Sequence, residues 1–134
     1  ATLSIGGSSN NYFSEYTSKY TAADHFSISH NSTPASRSAI MEKLQKYNLV
    51  LVQVNNTSWR AGGHFGYTSE SDAMLQEVIR RKKCVVTFLS NPYLLSSLKN
   101  LDKTNALLIG YEDNDFSQKA AAEAIFGAIK VNGK

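Results

Sequence analysis

Cysteine is almost absent from this chain of 134 residues. The single one, Cys84, leaves no internal disulfide framework to staple the fold. It opens the apolar run "CVVTFL" and reads as a small core residue rather than a nucleophile, because free cysteine is commonly buried. Proline and glycine are also few, at 2 and 8, beside 42% hydrophobic and 19% charged residues, which excludes a disordered or low-complexity chain. No apolar run approaches the roughly 20 residues of a membrane span, and no signal peptide stands before Ala1. Charge of one sign is in small excess, +3, and "RRKK" accounts for it. Arg80, Arg81, Lys82 and Lys83 read as the solvated end of a helix, where cations complement the macrodipole. They lack the interleaved aromatics that a single-strand binder stacks bases on, so no nucleic-acid partner is expected.

The missing motifs narrow the chemistry further. "GGSSNN" (6–11) is glycine-rich but contains neither G-x-G-x-x-G nor a Walker lysine, which argues against a nucleotide site. A phosphoacceptor receiver domain needs carboxylates after its first strand and at the end of its third, where this chain has Gly6 and Asn55. There is no G-x-S-x-G elbow for a hydrolase serine. His25, His30 and His64 are scattered, with no H-x-x-x-H pair and no cysteine partner, so no structural zinc is expected. Glu112, Asp113 and Asp115 cluster, but helix capping and a solvated surface account for them better than a cation does. Sequons at Asn31, Asn55 and Asn56 matter only on a glycosylating secretory route. No cofactor and no metal are expected.

What is present is an alternation. Strand patterns at 2–5, 24–29, 49–54, 84–89 and 106–109 are separated by helical ones. Phe13, Tyr16 and Tyr20 keep helical spacing, and Ile40, Met41, Leu44 and Tyr47 form a stripe behind Pro34. Met74, Leu75, Val78 and Ile79 form another in a helix over 69–82 that starts at Thr68-Ser69, and these stripes read as core faces. "NPYLLSSL" predicts a short helix with Pro92 in its first turn. Asp115 stands where the last helix needs an N-cap, with Gln118 three residues on, and Gly127 stands where it needs a C-terminal cap. Five βα units predict a three-layer α/β/α sandwich around a mainly parallel sheet of flavodoxin-like order 2-1-3-4-5. The loop from Asn55 to Ser71 is the anomaly, since a βα connection usually takes ~2–6 residues.

The stretches "VTFLSNPYLL" and "NALLIGYEDNDFSQKAAAEAIFGAIKVNGK" resemble the C-terminal α/β domain of family-three glycoside hydrolases. Within that family they are most similar to the bacterial β-N-acetylhexosaminidase branch. "ATLSIG" and "NLVLVQVNN" fit the same pattern, so the resemblance runs over essentially the whole chain. It implies that residues 1–134 are one domain, an excised C-terminal-type piece of a larger periplasmic or secreted enzyme. The catalytic barrel, with the family's Asp nucleophile and Asp–His pair, would then be the domain's partner in the parent chain and carry the carbohydrate substrate.

The implied role is a non-catalytic accessory domain that buttresses the barrel and borders the sugar site. In the β-glucosidase branch the second domain lends an acid/base glutamate from the loop after its third strand. The only carboxylate in that loop here is Glu70, which also reads as a first-turn residue favourable to the helix dipole. The loop's Trp59, Arg60, His64, Phe65 and Tyr67 are expected to pack on the barrel or edge the substrate cleft, since Trp, Tyr and Arg are enriched at interface hot spots. A third reading is a free-standing domain that binds a small ligand through "GGSSNN" and "YEDND". The isolated chain is expected to be inactive.

Overall fold

A computed structural model of the chain describes residues 1–58, 60 and 62–132. Five strands alternate with four α-helices: β1 (Thr2–Ile5), α1 (Tyr12–Tyr20), β2 (His25–Ile28), α2 (Pro34–Leu44), β3 (Leu49–Val54), α3 (Ser69–Arg81), β4 (Lys83–Leu89), β5 (Ala106–Gly110) and α4 (Asp115–Ile125). Short 3-10 turns cover His64–Gly66, Pro92–Ser97 and Leu101–Lys103. The strands form one sheet of order β2-β1-β3-β4-β5, and every pair is parallel. This is the expected doubly wound order, with the direction of winding reversing between β1 and β3.

Strand alternation sorts the sheet into two unequal faces. Leu3, Ile5, Ile28, Val50, Val52, Val54, Cys84, Val86 and Phe88 point one way, onto Met41 and Leu44 of α2 and Met74, Leu75, Val78 and Ile79 of α3. Burying each such side chain contributes about 1.5–3 kcal/mol, so this layer dominates stability. On the other face Leu51 meets Phe13 of α1 and Ala121 and Ala122 of α4. The alanines let α4 lie close to the sheet. Val85 packs there too, but that face also buries a polar row of Thr2, Ser4, Gln53 and Thr87, so on this side the apolar runs of β3 and β4 are interrupted at Gln53 and Thr87.

Helix ends obey local chemistry, with some departures from expectation. α2 begins with a capping box between Thr33 and Ser36, and Pro34 fills its first turn. Thr68 caps α3 through the amide of Ser71. Asn114, not Asp115, caps α4: its Oδ1 accepts from the Ser117 amide at 2.9 Å. Gln118 reaches away instead, accepting from the Tyr12 amide and donating to Asp113. A side chain one residue earlier reaches the N3 amide in the β-region geometry that a cap requires. Gly127 takes a left-handed φ of 75° just past the helix, as expected of a terminating glycine.

The basic run is split. Arg80 and Arg81 end α3 and pair with Glu77, Lys82 is the C-cap, and Lys83 already begins β4. The α1 stripe is also narrower than its spacing implies. Phe13 is buried and Tyr16 half-buried, while Tyr20 is exposed and stacks on Phe126.

Candidate functional site

In doubly wound sheets the ligand crevice lies beyond the carboxyl ends of the strands, where the winding reverses. Here that place lies over Gly6, Gly7 and Asn55, and it is filled from within. Gly6 has φ 89°, and a Cβ built on it would sit 2.0 Å from Nε2 of His30. A Cβ on Gly7 would meet Ser4 Oγ at 2.6 Å and the Cβ of Asn55 at 2.9 Å. The two glycines are therefore not a cradle for a phosphate. They are the clearance that His30 and Asn55 need to close over the end of β1.

The plug is hydrogen-bonded on all sides. His30 Nε2 lies 2.8 Å from the carbonyl oxygen of Asn55, which can only accept, so the ring proton sits on Nε2. Nδ1 then accepts from the Ser71 hydroxyl at 2.6 Å, on α3. Thr68 donates to the His30 carbonyl and tightens the same corner. Asn55 is only 2% exposed; its Oδ1 accepts from Ser4 at 2.8 Å and its Nδ2 donates to Gln53 and Asp113. Asp113, in the β5–α4 loop, accepts from the Asn56 amide at 2.7 Å and from Gln118 at 2.8 Å. The ligand-binding reading needs "GGSSNN" and "YEDND" as open loops, but Asn55 closes against Gly7 and both Asn55 and Asn56 are bonded to Asp113. The burial of Asn55 also removes it as a glycan acceptor.

The long loop is built on a left-handed turn. Gly63, His64, Phe65 and Gly66 have φ of 68°, 55°, 58° and 73°, a conformation that costs His64 and Phe65 of order 1–3 kcal/mol each. The turn is held by Ser58, whose amide donates to the Phe65 carbonyl at 2.6 Å, and by Phe65, which packs against the main core. Tyr67, at 2% exposed, lies beneath it with its ring edge to Phe88 and His30. Burial pushes its phenol pKa up, and the neighbouring Asp72 carboxylate adds to that.

His64 and Arg60 stand exposed, with Nε2 of His64 3.2 Å from Ser97 Oγ. Trp59 lies outside the described residues. Glu70 sits in the first turn of α3, where its own backbone amide and the Ser69 hydroxyl hold its carboxyl below the usual range.

His64, Phe65 and Tyr67 therefore share one turn, with Tyr67 turned inward. The residues that decide the crevice are His30, Ser71, Asn55 and Asp113. The glycine pair is their only sequence signal. Among the described residues no group of His, Cys, Asp and Glu side chains is placed to hold a metal ion. Asp115 lies in the first turn of α4 and Glu112 accepts from Asn114. Among the same residues no helix is long and apolar enough to cross a membrane.

No family model and no curated protein matches the chain. Among solved structures it is similar to a glycoside hydrolase family 3 β-N-acetylglucosaminidase from Paenibacillus sp. str. FPU-7, with a TM-score of 0.73 and 14% sequence identity. The superposition covers 99% of this chain and 26% of that one, so the chain spans about a quarter of the length of the structure it matches. At that identity the likeness shows the shared fold.

Proposed function

We propose that the chain is a non-catalytic accessory domain of a family-three glycoside hydrolase of the β-N-acetylhexosaminidase type. It packs beside a catalytic barrel in a larger periplasmic or secreted protein. The observation that carries this reading is the filled crevice: His30 and Asn55 occupy the place where a domain of this fold holds its own ligand. A domain closed there acts through its surface. The fold shared with one quarter of a β-N-acetylglucosaminidase supplies the kind of parent, and the two stretches that resemble the family, residues 86–95 and 105–134, point the same way.

In this reading the turn carrying His64 and Phe65, with Arg60 and Trp59 before it, faces the barrel or the rim of its sugar cleft. A left-handed turn braced on the core through Phe65 holds His64 and Phe65 in place, and an ordered turn loses little freedom on docking. Glu70 is a helix-start residue. The alternative, in which it donates acid/base chemistry to a composite site, needs a second carboxyl group about 5–5.5 Å away on the partner domain.

The test is turnover of a chromogenic N-acetylglucosaminide by the purified chain, which is expected to stay at background. Activity clearly above background would overturn the accessory reading. In a parent enzyme, Glu70→Gln is expected to leave the rate nearly intact, whereas an acid/base role predicts a loss on the order of 10²–10⁴.

A further inference from the structure

Of the four helices, α4 lays the smallest buried side chains on the sheet. α3 buries Met74, Leu75, Val78 and Ile79, whereas α4 buries Ala121 and Ala122. A methyl group removes far less apolar area from water than a Leu or Met side chain does. The floor beneath α4 is also polar. Thr87 shares a groove with Ser117, Ala120, Ala121 and Ala124 of α4, and Gln53 lies beside Thr87 in the β3–β4 register. Both side chains are fully buried. Among the described residues, the Thr87 hydroxyl and the Gln53 amide nitrogen have no hydrogen-bond partner. Such groups carry the cost of lost hydration for as long as α4 stays seated, and the cost is relieved when water reaches them.

The start of α4 is tied to the crevice by side chains. Asp113, in the loop before the helix, accepts from the Asn56 amide at 2.7 Å and from Nδ2 of Asn55 at 3.3 Å. Gln118, in the first turns, donates to Asp113 and accepts from the Tyr12 amide at 3.1 Å. The far end is held by Phe126, stacked on Tyr20 with ring centroids 5.0 Å apart.

We propose that α4 and the loop before it form a latch on the crevice, which lifts from the sheet as one unit while the layer under α2 and α3 stays folded. Lifting hydrates Gln53 and Thr87. It also withdraws Asp113 from Asn55 and Asn56, so the plug loses its partner on that side and the crevice loosens. The contacts involved are internal to this chain, and the proposal is independent of the parentage argued above.

Native-state amide exchange of the chain in low concentrations of guanidinium chloride tests this. Amides of α4 should exchange through an opening with a shallower denaturant dependence than those of α3, because it exposes less surface. In water they should be at least about tenfold less protected than α3. The Asn56 and Tyr12 amides, which donate to Asp113 and Gln118, should open together with α4. Thr87→Val removes the unpartnered hydroxyl and should raise the protection of α4 at least about fivefold. Amides of α4 that exchange only together with those of α3 overturn the proposal. So do Asn56 and Tyr12 amides that open apart from α4, a reading that needs no variant. Unchanged protection of α4 in a folded Thr87→Val chain overturns it too, because the polar floor would then not be what loosens the helix.

Discussion

Gly6 shows how one residue sets the state of the crevice. Its φ of 89° strains any L side chain, and the His30 ring occupies the space a methyl would need. Gly6→Ala should therefore combine backbone strain with overpacking and cost about 2–4 kcal/mol. A urea titration checks this, and a variant as stable as the parent would show that His30 is not a fixed plug. Tyr67 makes a prediction of opposite character. Burial raises its phenol pKa in the folded chain, so above pH about 10 the unfolded chain ionises first and binds fewer protons. Stability is then complete below that pH and falls as pH rises past it. Tyr67→Phe should flatten the decline between pH 9 and 11, measured by denaturant midpoint at each pH. His30 itself was not legible as a plug, because its partners Asn55 and Ser71 lie 25 and 41 residues away.

Elements were read well wherever periodicity or a terminus carried the signal. β1 and β3 lie where the pattern placed them, and Thr68 and Pro34 start their helices as expected. α4 separates what a pattern can say from what a hydrogen bond decides. Asn114 and Asp115 are neighbours, both suited to capping, and only the backbone at 114 has extended φ and ψ. Asn114→Ala should therefore cost about 1 kcal/mol, and Asp115→Ala distinctly less, since it removes only a first-turn charge. Thermal unfolding of the two variants compares them directly, and equal losses would return the cap to Asp115. The split of "RRKK" has the same origin. Composition marks a basic helix end, but Lys83 already pairs with Leu49 in the β3–β4 ladder.

For the whole molecule, the two faces of the sheet have different work. One holds nearly all the large apolar side chains, packed under α2 and α3. The other buries a polar row beneath α1 and α4, with the amide nitrogen of Gln53 and the hydroxyl of Thr87 unpartnered. This division leaves β5 exposed on its apolar side. A domain so arranged is stable mainly through one layer and closed at its ligand end.

The alternation of strands and helices, the parallel sheet and its order were determined by the sequence alone, because each rests on spacing within one element and on short, right-handed connections. The apolar stripes of α2 and α3 were legible for the same reason. The crevice was decided only by the tertiary structure. "GGSSNN" reads equally well as an open loop or as clearance for a side chain, and the choice depends on His30 arriving from another βα unit. Exposure along β5 was hidden too: "ALLIG" is what a central strand also looks like, and only its place at the end of the ladder leaves it uncovered. Local periods report which residues share a face; they do not report which faces find a neighbour.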